Sequence, residues 1–223
     1  MIDITAILNS LAKRRPVFHS EADFQHAFAW EINLARPNVN IRLEYPVPTE
    51  SKPYHIDVRI ENKDEIVAIE LKYKTVPVEF VIDGEPFRLK NHSARDQGRY
   101  DFIKDIQRLE HVSHAAEKGK KFTGYAILLT NDNNYWEGDG TDKNTADAAF
   151  KIYVGRTLNG RLNWTANASV GTTKNREKEI ELKGSYKVEW KYYNVEWKDH
   201  KIEWEDFKGQ EDKLKFHYLA IKV

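Results

Sequence analysis

The first clear periodicity in the chain is helical and begins after Ser20. Apolar residues recur at the spacing of one helical face, at Phe24, Phe28, Ile32 and Ala35. Ser20 with Asp23 three residues later resembles a capping box, and Pro37 ends the pattern because proline lacks the N–H that a helix requires. The pattern predicts a helix over 20–35 whose apolar stripe faces the core.

Three strand-like runs follow this helix, at 41–47, 54–61 and 65–73. Short polar segments rich in turn-forming residues separate them, which predicts an antiparallel meander. Asp83 and Gly84 then stand between two further apolar runs, and this dipeptide is typical of a tight hairpin turn. We therefore predict that residues 76–90 form a hairpin inserted after the meander.

A second long helix is predicted over 96–112. Its apolar residues keep helical spacing, at Phe102, Ile103, Ile106 and Leu109. The apolar run at 125–130 that follows is typical of a buried strand. The first 135 residues thus have the predicted order helix, three strands, helix, strand.

The remaining residues, 136–223, are predicted to form a β-rich extension. Short aromatic segments with strand-like alternation are separated by glycine, asparagine and lysine. In one strand-like segment, alternation places four residues on one face, at Tyr186, Val188, Trp190 and Tyr192. We expect core packing for these rings, although aromatic faces also stack on unpaired nucleobases. The predicted fold class is α/β, with a core at 1–135 and the extension packed on it as one continuous domain.

Composition leads us to expect a soluble protein of the cytoplasm with no membrane partner. The 223 residues are 40% hydrophobic and 31% charged, with a mean hydropathy of −0.71. No apolar run approaches the roughly 20 residues of a membrane-spanning helix, and no secretory signal is recognisable. The absence of cysteine excludes disulfides and thiolate metal sites. The 35 basic and 35 acidic residues balance, so net charge does not itself indicate nucleic-acid binding.

Three charged residues are predicted to meet on one face of the meander. Alternate residues of a strand point to the same side, so Asp57 lies on the polar face of its strand, opposite Ile56 and its apolar neighbours. Glu70 and Lys72 share a face of the next strand by the same rule. Because a short turn makes the two strands antiparallel neighbours, these side chains are expected within about 5–8 Å of one another.

This arrangement suits a divalent cation and phosphate chemistry. Two carboxylates such as Asp57 and Glu70 repel each other at that distance unless a cation lies between them. Mg²⁺ prefers hard oxygen ligands and keeps waters and phosphate oxygens in its shell, and Mn²⁺ is expected to substitute for it. The metal can activate water near neutral pH, and Lys72 can orient that water or stabilise the transition-state charge. The residues therefore predict phosphodiester hydrolysis.

Asp57 on one strand and Glu70-Leu71-Lys72 on the next resemble the motif of the PD-(D/E)XK nuclease superfamily, which includes restriction endonucleases and archaeal Holliday-junction resolvases. The order of elements over 20–130 is also similar to the core of that superfamily. Ile56 stands where the superfamily name has proline. The resemblance implies a restriction endonuclease-like core, in which a mixed sheet is flanked by helices. It also implies endonuclease activity on DNA, with a homodimer as a common state.

The resemblance implies two further site residues. In such nucleases a glutamate on the first helix often completes the metal site, and Glu21 looks like that residue. Glu31 is the rival, but it falls near the centre of the apolar stripe, where a carboxylate needs a partner, whereas Glu21 lies at the edge of the stripe. A polar residue of the second helix approaches the phosphate in the family, and Gln97 looks like that residue, with Arg99 and Tyr100 nearby.

Simpler interpretations stand beside these. Glu-x-Lys on a strand is often a charge pair on a wet face, and Gln97 with Arg99 equally suits a helix cap and a surface cation. The alternative function is a catalytically idle module of the same fold, used for binding or assembly in a defence or repair system. The neutral net charge and the aromatic C-terminal half favour this alternative.

Overall fold

A mixed six-stranded β-sheet forms the centre of the computed structural model, with helices on both faces and additional strands around it. The fold class is therefore α/β, as predicted. The structure describes residues 2–47, 54–114, 119–138, 145–193, 195, 197–203 and 211–223.

Two helices, five consecutive strands, a long helix and a sixth strand follow one another in the first half of the chain, and short strands dominate the second half. The helices are α1 (Ile4–Arg14), α2 (Glu21–Ala35), α3 (Arg95–His114) and the short α4 (Val170–Thr173). The strands of the first half are β1 (Asn40–Val47), β2 (Tyr54–Glu61), β3 (Glu65–Lys74), β4 (Val78–Ile82), β5 (Glu85–Leu89) and β6 (Lys121–Thr130). The strands of the second half are β7 (Thr157–Leu162), β8 (Ile180–Lys187), β9 (Trp190–Tyr192), β10 (Ile202–Glu203) and β11 (His217–Lys222).

The central sheet has the strand order β1-β2-β3-β6-β11-β9. β1, β2 and β3 are antiparallel neighbours, as the meander prediction requires. β3 and β6 are parallel, and α3 lies in the chain between them as the crossover that a parallel pair needs. One face of the sheet packs on α1 and α2, and the other packs on α3.

α1 was not predicted, although its residues carry a helical pattern. Asp3 caps the helix, with its carboxylate accepting from the backbone N–H of Ala6 at 3.0 Å. Its buried residues recur at helical spacing, at Ile4, Ile7, Leu8 and Leu11. α1 therefore contributes a second amphipathic helix to the core on the α2 side of the sheet.

α2 begins where the sequence predicts. Ser20 is the N-cap, and its hydroxyl accepts from the backbone N–H of Asp23 at 3.1 Å. Three residues of the predicted stripe are fully buried, at Phe24, Phe28 and Ile32. The prediction is wrong for Ala35, which is exposed at the last position of the helix.

The predicted hairpin is present as β4 and β5. Asp83 and Gly84 form its turn with φ angles of 52° and 86°, the left-handed region that a tight hairpin of this kind needs. β10 pairs with β4 and makes a separate three-stranded sheet with the hairpin.

The second half of the chain joins the first through the central sheet. β11 pairs antiparallel with β6, and β9 pairs with β11, while β7 and β8 form a two-stranded sheet against α3. The aromatic segment predicted as one strand is split between β8 and β9, which lie in different sheets. Tyr186, Val188 and Trp190 nevertheless pack against the same core cluster on the α3 side, as predicted, whereas the prediction is wrong for Tyr192, which is 65% exposed. In the described part of the chain, no helix is long and apolar enough to cross a membrane.

Candidate functional site

β1 and β2 are distorted at the point where Asp57 lies. Their pairing is regular on both sides but omits Glu44 and Asp57, and Glu44 has a φ of 48° in the left-handed region. Val58 packs on the α1–α2 side of the sheet, whereas Ile56 packs on the α3 side. The prediction that these two residues share a face is therefore wrong, because the strand turns over at Asp57.

Asp57 is held by hydrogen bonds from two elements, a backbone N–H of β3 and a side-chain amide of α2. The β2–β3 pairing ends at Val58 and Ile69, and beyond it Asp57 Oδ2 accepts from the backbone N–H of Leu71 at 2.6 Å. The Asp57 carbonyl accepts from Gln25 of α2 at 2.7 Å. Burial raises the pKa of Asp57 to about 6, against the opposing effects of Lys72 and of the Leu71 hydrogen bond.

Glu70 is buried on the α3 side of the sheet, next to the end of the β2–β3 pairing. The residue is 2% exposed, and its Oε1 has no hydrogen-bond partner among the described residues. Burial raises the pKa of Glu70 well above its usual range, and the charges of Asp105 and Asp57 raise it further. Glu70 is thus a carboxyl group with an unsatisfied oxygen in a region of negative charge.

Lys72 faces the same region and is anchored there. Its Nζ lies 2.8 Å from Asp105 Oδ2 and donates to the Leu71 carbonyl at 3.1 Å. Burial alone would lower the pKa of Lys72, but the charges of Asp105, Glu21 and Asp57 outweigh it and raise the pKa. Lys72 therefore stays protonated, and its contact with Asp105 of α3 fixes the position of its ammonium.

Asp105 on α3 belongs to the site and was not predicted. It is 2% exposed and also accepts from Arg108 at 2.9 Å. Burial raises the pKa of Asp105, and Lys72 and Arg108 oppose that rise. A signal for it exists in the sequence, because Asp105 falls at helical spacing within the apolar stripe that contains Ile106 and Leu109. A carboxylate in that position needs a partner, and the partner is Lys72.

The buried cluster holds more acid than base. Asp57, Glu70 and Asp105 supply three carboxyl groups, while Lys72 and Arg108 supply two cations. With every group ionised, the cluster carries an excess negative charge in surroundings of low dielectric constant, which is unfavourable. Either a proton on Glu70 or an added cation removes that excess.

Glu21 lies at the rim of this cluster, and Glu31 does not. Glu21 Oε2 accepts from the backbone N–H of Tyr73 at 2.8 Å and lies 3.9 Å from Lys74 Nζ, with 44% of its side chain exposed. Its charge raises the pKa values of Asp57 and Lys72, as a nearby carboxylate does. Glu31 is buried near α1, where its partner is Arg14, with Oε2 3.6 Å from Nε.

The structure does not bring Gln97 to the other predicted residues. Its side-chain amide donates to the carbonyls of Gly171 and Thr172, at 3.1 Å each. Along α3 it lies about 12 Å from Asp105 at 1.5 Å per residue. Its neighbour Arg99 is paired with Asp147 at 2.5 Å. These contacts attach the C-terminal half to α3.

The described residues contain no set of three or more His, Asp or Glu side chains already spaced to hold a metal ion. The donors of the cluster are nevertheless the hard oxygens that Mg²⁺ and Mn²⁺ accept, and one of them, Glu70 Oε1, is buried without a partner. A cation between Asp57 and Glu70 would satisfy that oxygen and balance the charge. Comparisons with protein-family models, curated proteins and solved structures each found no match. The site's own geometry and chemistry therefore carry its interpretation.

Proposed function

We propose that this chain is a metal-dependent endonuclease that hydrolyses phosphodiester bonds, with DNA as its substrate. The observation that carries the proposal is the buried oxygen of Glu70, which has no hydrogen-bond partner among the described residues and lies among Asp57, Asp105 and Lys72. Burial of a carboxyl oxygen without a hydrogen-bond partner costs free energy on folding. A cation bound at that oxygen would explain why the protein has a buried glutamate there.

Asp57 and Glu70 would hold Mg²⁺, or Mn²⁺ in its place, and Glu21 would contribute from the rim. When bound, the cation polarises the phosphoryl oxygen and makes hydroxide available near neutral pH. Metal binding at these carboxyls displaces protons, because ligands must be deprotonated. The raised pKa of Asp57, about 6, therefore predicts tighter metal binding as pH rises from about 5 to 7.

Lys72 supplies the positive charge that the reaction needs. Its ammonium lies on the same strand face as Glu70 and stays protonated, so it can orient the attacking water or stabilise charge on the phosphoryl group. Asp105 is a positioning residue in this scheme, because it holds Lys72 at 2.8 Å and is itself only 2% exposed.

The order of elements supports a restriction endonuclease-like core. α2, the meander β1-β2-β3, the crossover α3 and the parallel strand β6 follow in the order that the PD-(D/E)XK resemblance implies. Asp57 lies on β2, and Glu70 and Lys72 lie on β3, the two successive strands that carry the motif in this resemblance.

A second candidate function is an idle module with the same fold. The observation that favours it is the close Lys72–Asp105 pair, since a lysine held at 2.8 Å by an aspartate also serves as a structural ion pair. Calorimetry with Mn²⁺ separates the two candidates. Binding that Asp57→Asn abolishes supports the nuclease, and absence of binding supports the idle module.

The decisive test is a cleavage assay with duplex, single-stranded and branched DNA and with RNA, in Mg²⁺, Mn²⁺ or EDTA. We expect cleavage of DNA that requires the metal and that Lys72→Ala reduces by at least roughly a hundredfold. Lys183→Ala, an exposed lysine on β8, is the matched control and should cleave normally. Cleavage that persists in EDTA, or that Lys72→Ala leaves unchanged, would overturn the proposal, as would no cleavage of any substrate.

A further inference from the structure

β3 has a free edge next to the candidate site. Its pairing with β2 ends at Val58 and Ile69, so the residues of β3 beyond that point lie outside the ladder between the two strands. On a strand, the backbone N–H groups of alternate residues point to the same edge. The N–H groups of Leu71, Tyr73 and Thr75 therefore follow one another along this edge, and each of them needs an acceptor where the edge is buried.

Three polar side chains from separate parts of the chain accept from these N–H groups. Asp57 accepts from Leu71 at 2.6 Å, Glu21 accepts from Tyr73 at 2.8 Å, and His92 accepts from Thr75 at 3.0 Å. We call the three acceptors Asp57, Glu21 and His92 the edge row. Two members of the edge row are the predicted metal ligands, so the third, His92, lies in line with the candidate site.

His92 is fixed at the end of the edge row. Its backbone N–H donates to the Thr75 carbonyl at 2.9 Å, while its ring Nδ1 accepts from the Thr75 N–H. Thr75 is only 2% exposed, and its hydroxyl donates to the Lys90 carbonyl at 2.6 Å. The segment before α3 is thus attached to the end of β3 by three hydrogen bonds, which set the position of the ring.

The same contacts decide which ring nitrogen of His92 carries a proton. A backbone N–H can only donate, so Nδ1 has to be the unprotonated acceptor. Burial and the charge of Lys74 lower the pKa of His92, which favours the neutral ring near neutral pH. The single proton of the neutral ring is then on Nε2. Nε2 makes no hydrogen bond to any residue that the structure describes, so it can donate to a ligand.

Lys74 adds a positive charge beside His92. Its Nζ lies 3.9 Å from Glu21 Oε2, which is too long for a hydrogen bond, and 22% of its side chain is exposed. The charges of Lys74 and Glu21 act on the pKa of His92 in opposite directions, so both groups lie near the ring. Lys74 can therefore donate to an anion that also accepts from His92 Nε2.

The edge row is too extended for one metal ion to contact both of its ends. The N–H groups of Leu71 and Thr75 are four residues apart, or roughly 14 Å at about 3.4 Å per residue. The acceptor atoms of Asp57 and His92 therefore stay several ångströms farther apart than two ligands of one Mg²⁺, which lie about 2.1 Å from the ion. A cation at Asp57 would leave His92 and Lys74 free for a second, anionic group.

We propose that His92 and Lys74 bind a phosphate of the nucleic-acid strand other than the phosphate that is cleaved. The inference rests on the proposed function, in which the reacting phosphate lies at Asp57, Glu70 and Lys72. A strand that follows the free edge of β3 brings its next phosphates along the edge row to His92. The Nε2 donor and the ammonium of Lys74 suit a phosphate oxygen. Such a contact positions the backbone and should tolerate any base sequence.

The test is binding of a fluorescein-labelled oligothymidine and of a labelled DNA duplex to the full chain in EDTA, followed by anisotropy over a series of salt concentrations. Lys74→Gln should weaken binding roughly tenfold and reduce the slope of log K against log salt by about 0.7–0.9, since one phosphate contact fewer releases counterions. His92→Asn should also weaken binding roughly tenfold, because it loses a hydrogen bond to a charged group. Its slope should be unchanged, since a neutral ring displaces no counterion.

Two residues of the same types serve as matched controls. His26 is exposed on α2, and Lys183 has an exposed side chain on β8, so His26→Asn and Lys183→Gln should bind like the unaltered protein. Thermal unfolding separates anchoring from binding. His92→Ala removes the acceptor of the Thr75 N–H and should lower the unfolding midpoint, whereas the amide oxygen of His92→Asn can replace Nδ1. Lys74→Gln keeps the test decisive even if both substitutions of His92 destabilise the fold.

Strands that carry a single neutral methylphosphonate locate the bound phosphate. In a cleavage assay with Mg²⁺, the methylphosphonate should suppress the cut at one fixed distance from itself, because the uncharged group then lies at His92 and Lys74. Lys74→Gln should cleave that strand and the unmodified strand equally at the same position. Suppression that persists in Lys74→Gln would assign the phosphate contact to other residues and contradict the inference.

The inference and the proposed function can fail separately. Unchanged binding by Lys74→Gln or by His92→Asn, a salt slope that Lys74→Gln leaves unaltered, or no binding of either probe would overturn the phosphate subsite, whatever the cleavage assay shows. Weaker binding by both variants without metal-dependent cleavage would support the subsite and remove the nuclease. Metal-dependent cleavage with unchanged binding by the variants would support the nuclease and remove the subsite.

Discussion

At the scale of single residues, Glu70 carries a charge that the folded protein accommodates poorly. It is buried, one oxygen has no partner in the described structure, and Asp105 and Asp57 repel its charge. The folded protein therefore favours a proton on Glu70 under conditions in which the unfolded chain has lost it. A bound cation would remove this cost, which links metal binding to stability.

Glu70→Gln should stabilise the metal-free protein at neutral and alkaline pH. The pKa of Glu70 in the folded state is raised above its ordinary value of 4.5, so the folded state binds the extra proton. The free energy of unfolding consequently falls as pH rises above about 4.5, until the folded-state pKa is passed. Glutamine has no charge to bury, and we expect a gain on the order of 2 kcal/mol at about pH 8 and little at about pH 4.

Urea unfolding in EDTA at the two pH values measures this difference. Glu79→Gln is the control, because the Glu79 side chain on β4 is 67% exposed and should show almost no effect at either pH. An equal gain from Glu70→Gln at both pH values would contradict the assigned cause.

Asp105→Asn should lower the pKa of Lys72, while the side chain at position 105 keeps nearly the same shape. Burial lowers the pKa of Lys72, and Asp105 is the strongest of the carboxylates that raise it. Losing that charge lowers the pKa, so the alkaline limb of the pH–rate profile for cleavage should move to lower pH. Asp101→Asn on the same helix is the control, since Asp101 pairs with Arg176. A reduced rate with an unmoved alkaline limb would mean that Asp105 is merely structural.

At the scale of elements, α3 connects the candidate site to the C-terminal half. Its middle carries Asp105, which holds Lys72, while its later turns carry Glu110, whose carboxylate accepts from the backbone N–H groups of Lys183 and Gly184. Near its start, Gln97 donates to the carbonyls of Gly171 and Thr172 in α4. The helix therefore positions Lys72 and anchors the extension with separate residues.

Gln97→Ala should affect local attachment and leave cleavage unchanged. The substitution removes two hydrogen bonds at a partly exposed position, so we expect the free energy of unfolding to fall by about 1 kcal/mol or less. Glu110→Ala is the comparison from the same helix and should cost more, because it removes a buried carboxylate that accepts from two backbone N–H groups of β8 and from the hydroxyl of Tyr186. A large loss of cleavage in Gln97→Ala would restore the role in phosphate binding that the family resemblance implies.

At the scale of the whole molecule, the two halves of the chain share one sheet. β11, near the C-terminus, is inserted between β6 and β9, and β6 in turn lies beside β3, which carries Glu70 and Lys72. The C-terminal half is thus part of the support of the candidate site. We expect the chain to unfold in one cooperative transition for this reason.

Leu219→Ala in β11 tests this dependence. Leu219 is fully buried, so we expect a loss of about 2–5 kcal/mol with a single transition reported by both circular dichroism and tryptophan fluorescence. Leu34→Ala, at a residue that is 43% exposed on α2, should cost much less. Two separate transitions would show that the halves fold independently.

The sequence by itself determined the features that depend on residues close together in the chain. Ser20 as a cap, the stripe of α2 and the Asp83-Gly84 turn depend on local spacing, and so does the shared face of Glu70 and Lys72. The α1 helix belongs to the same class, because its pattern is present in the sequence even though it was not predicted.

Only the tertiary structure decided which distant groups meet. Asp105 joins Lys72 across 33 positions, and Gln97 binds Gly171 across 74. The change of sheet face at Asp57 likewise depends on pairing with β1, where Glu44 takes a left-handed conformation. Periodicity fixes the face on which a side chain lies, but the packing of separate elements selects its partner. The strand residues of the candidate site are therefore predictable from the sequence, whereas the pairing of Lys72 with Asp105 is not.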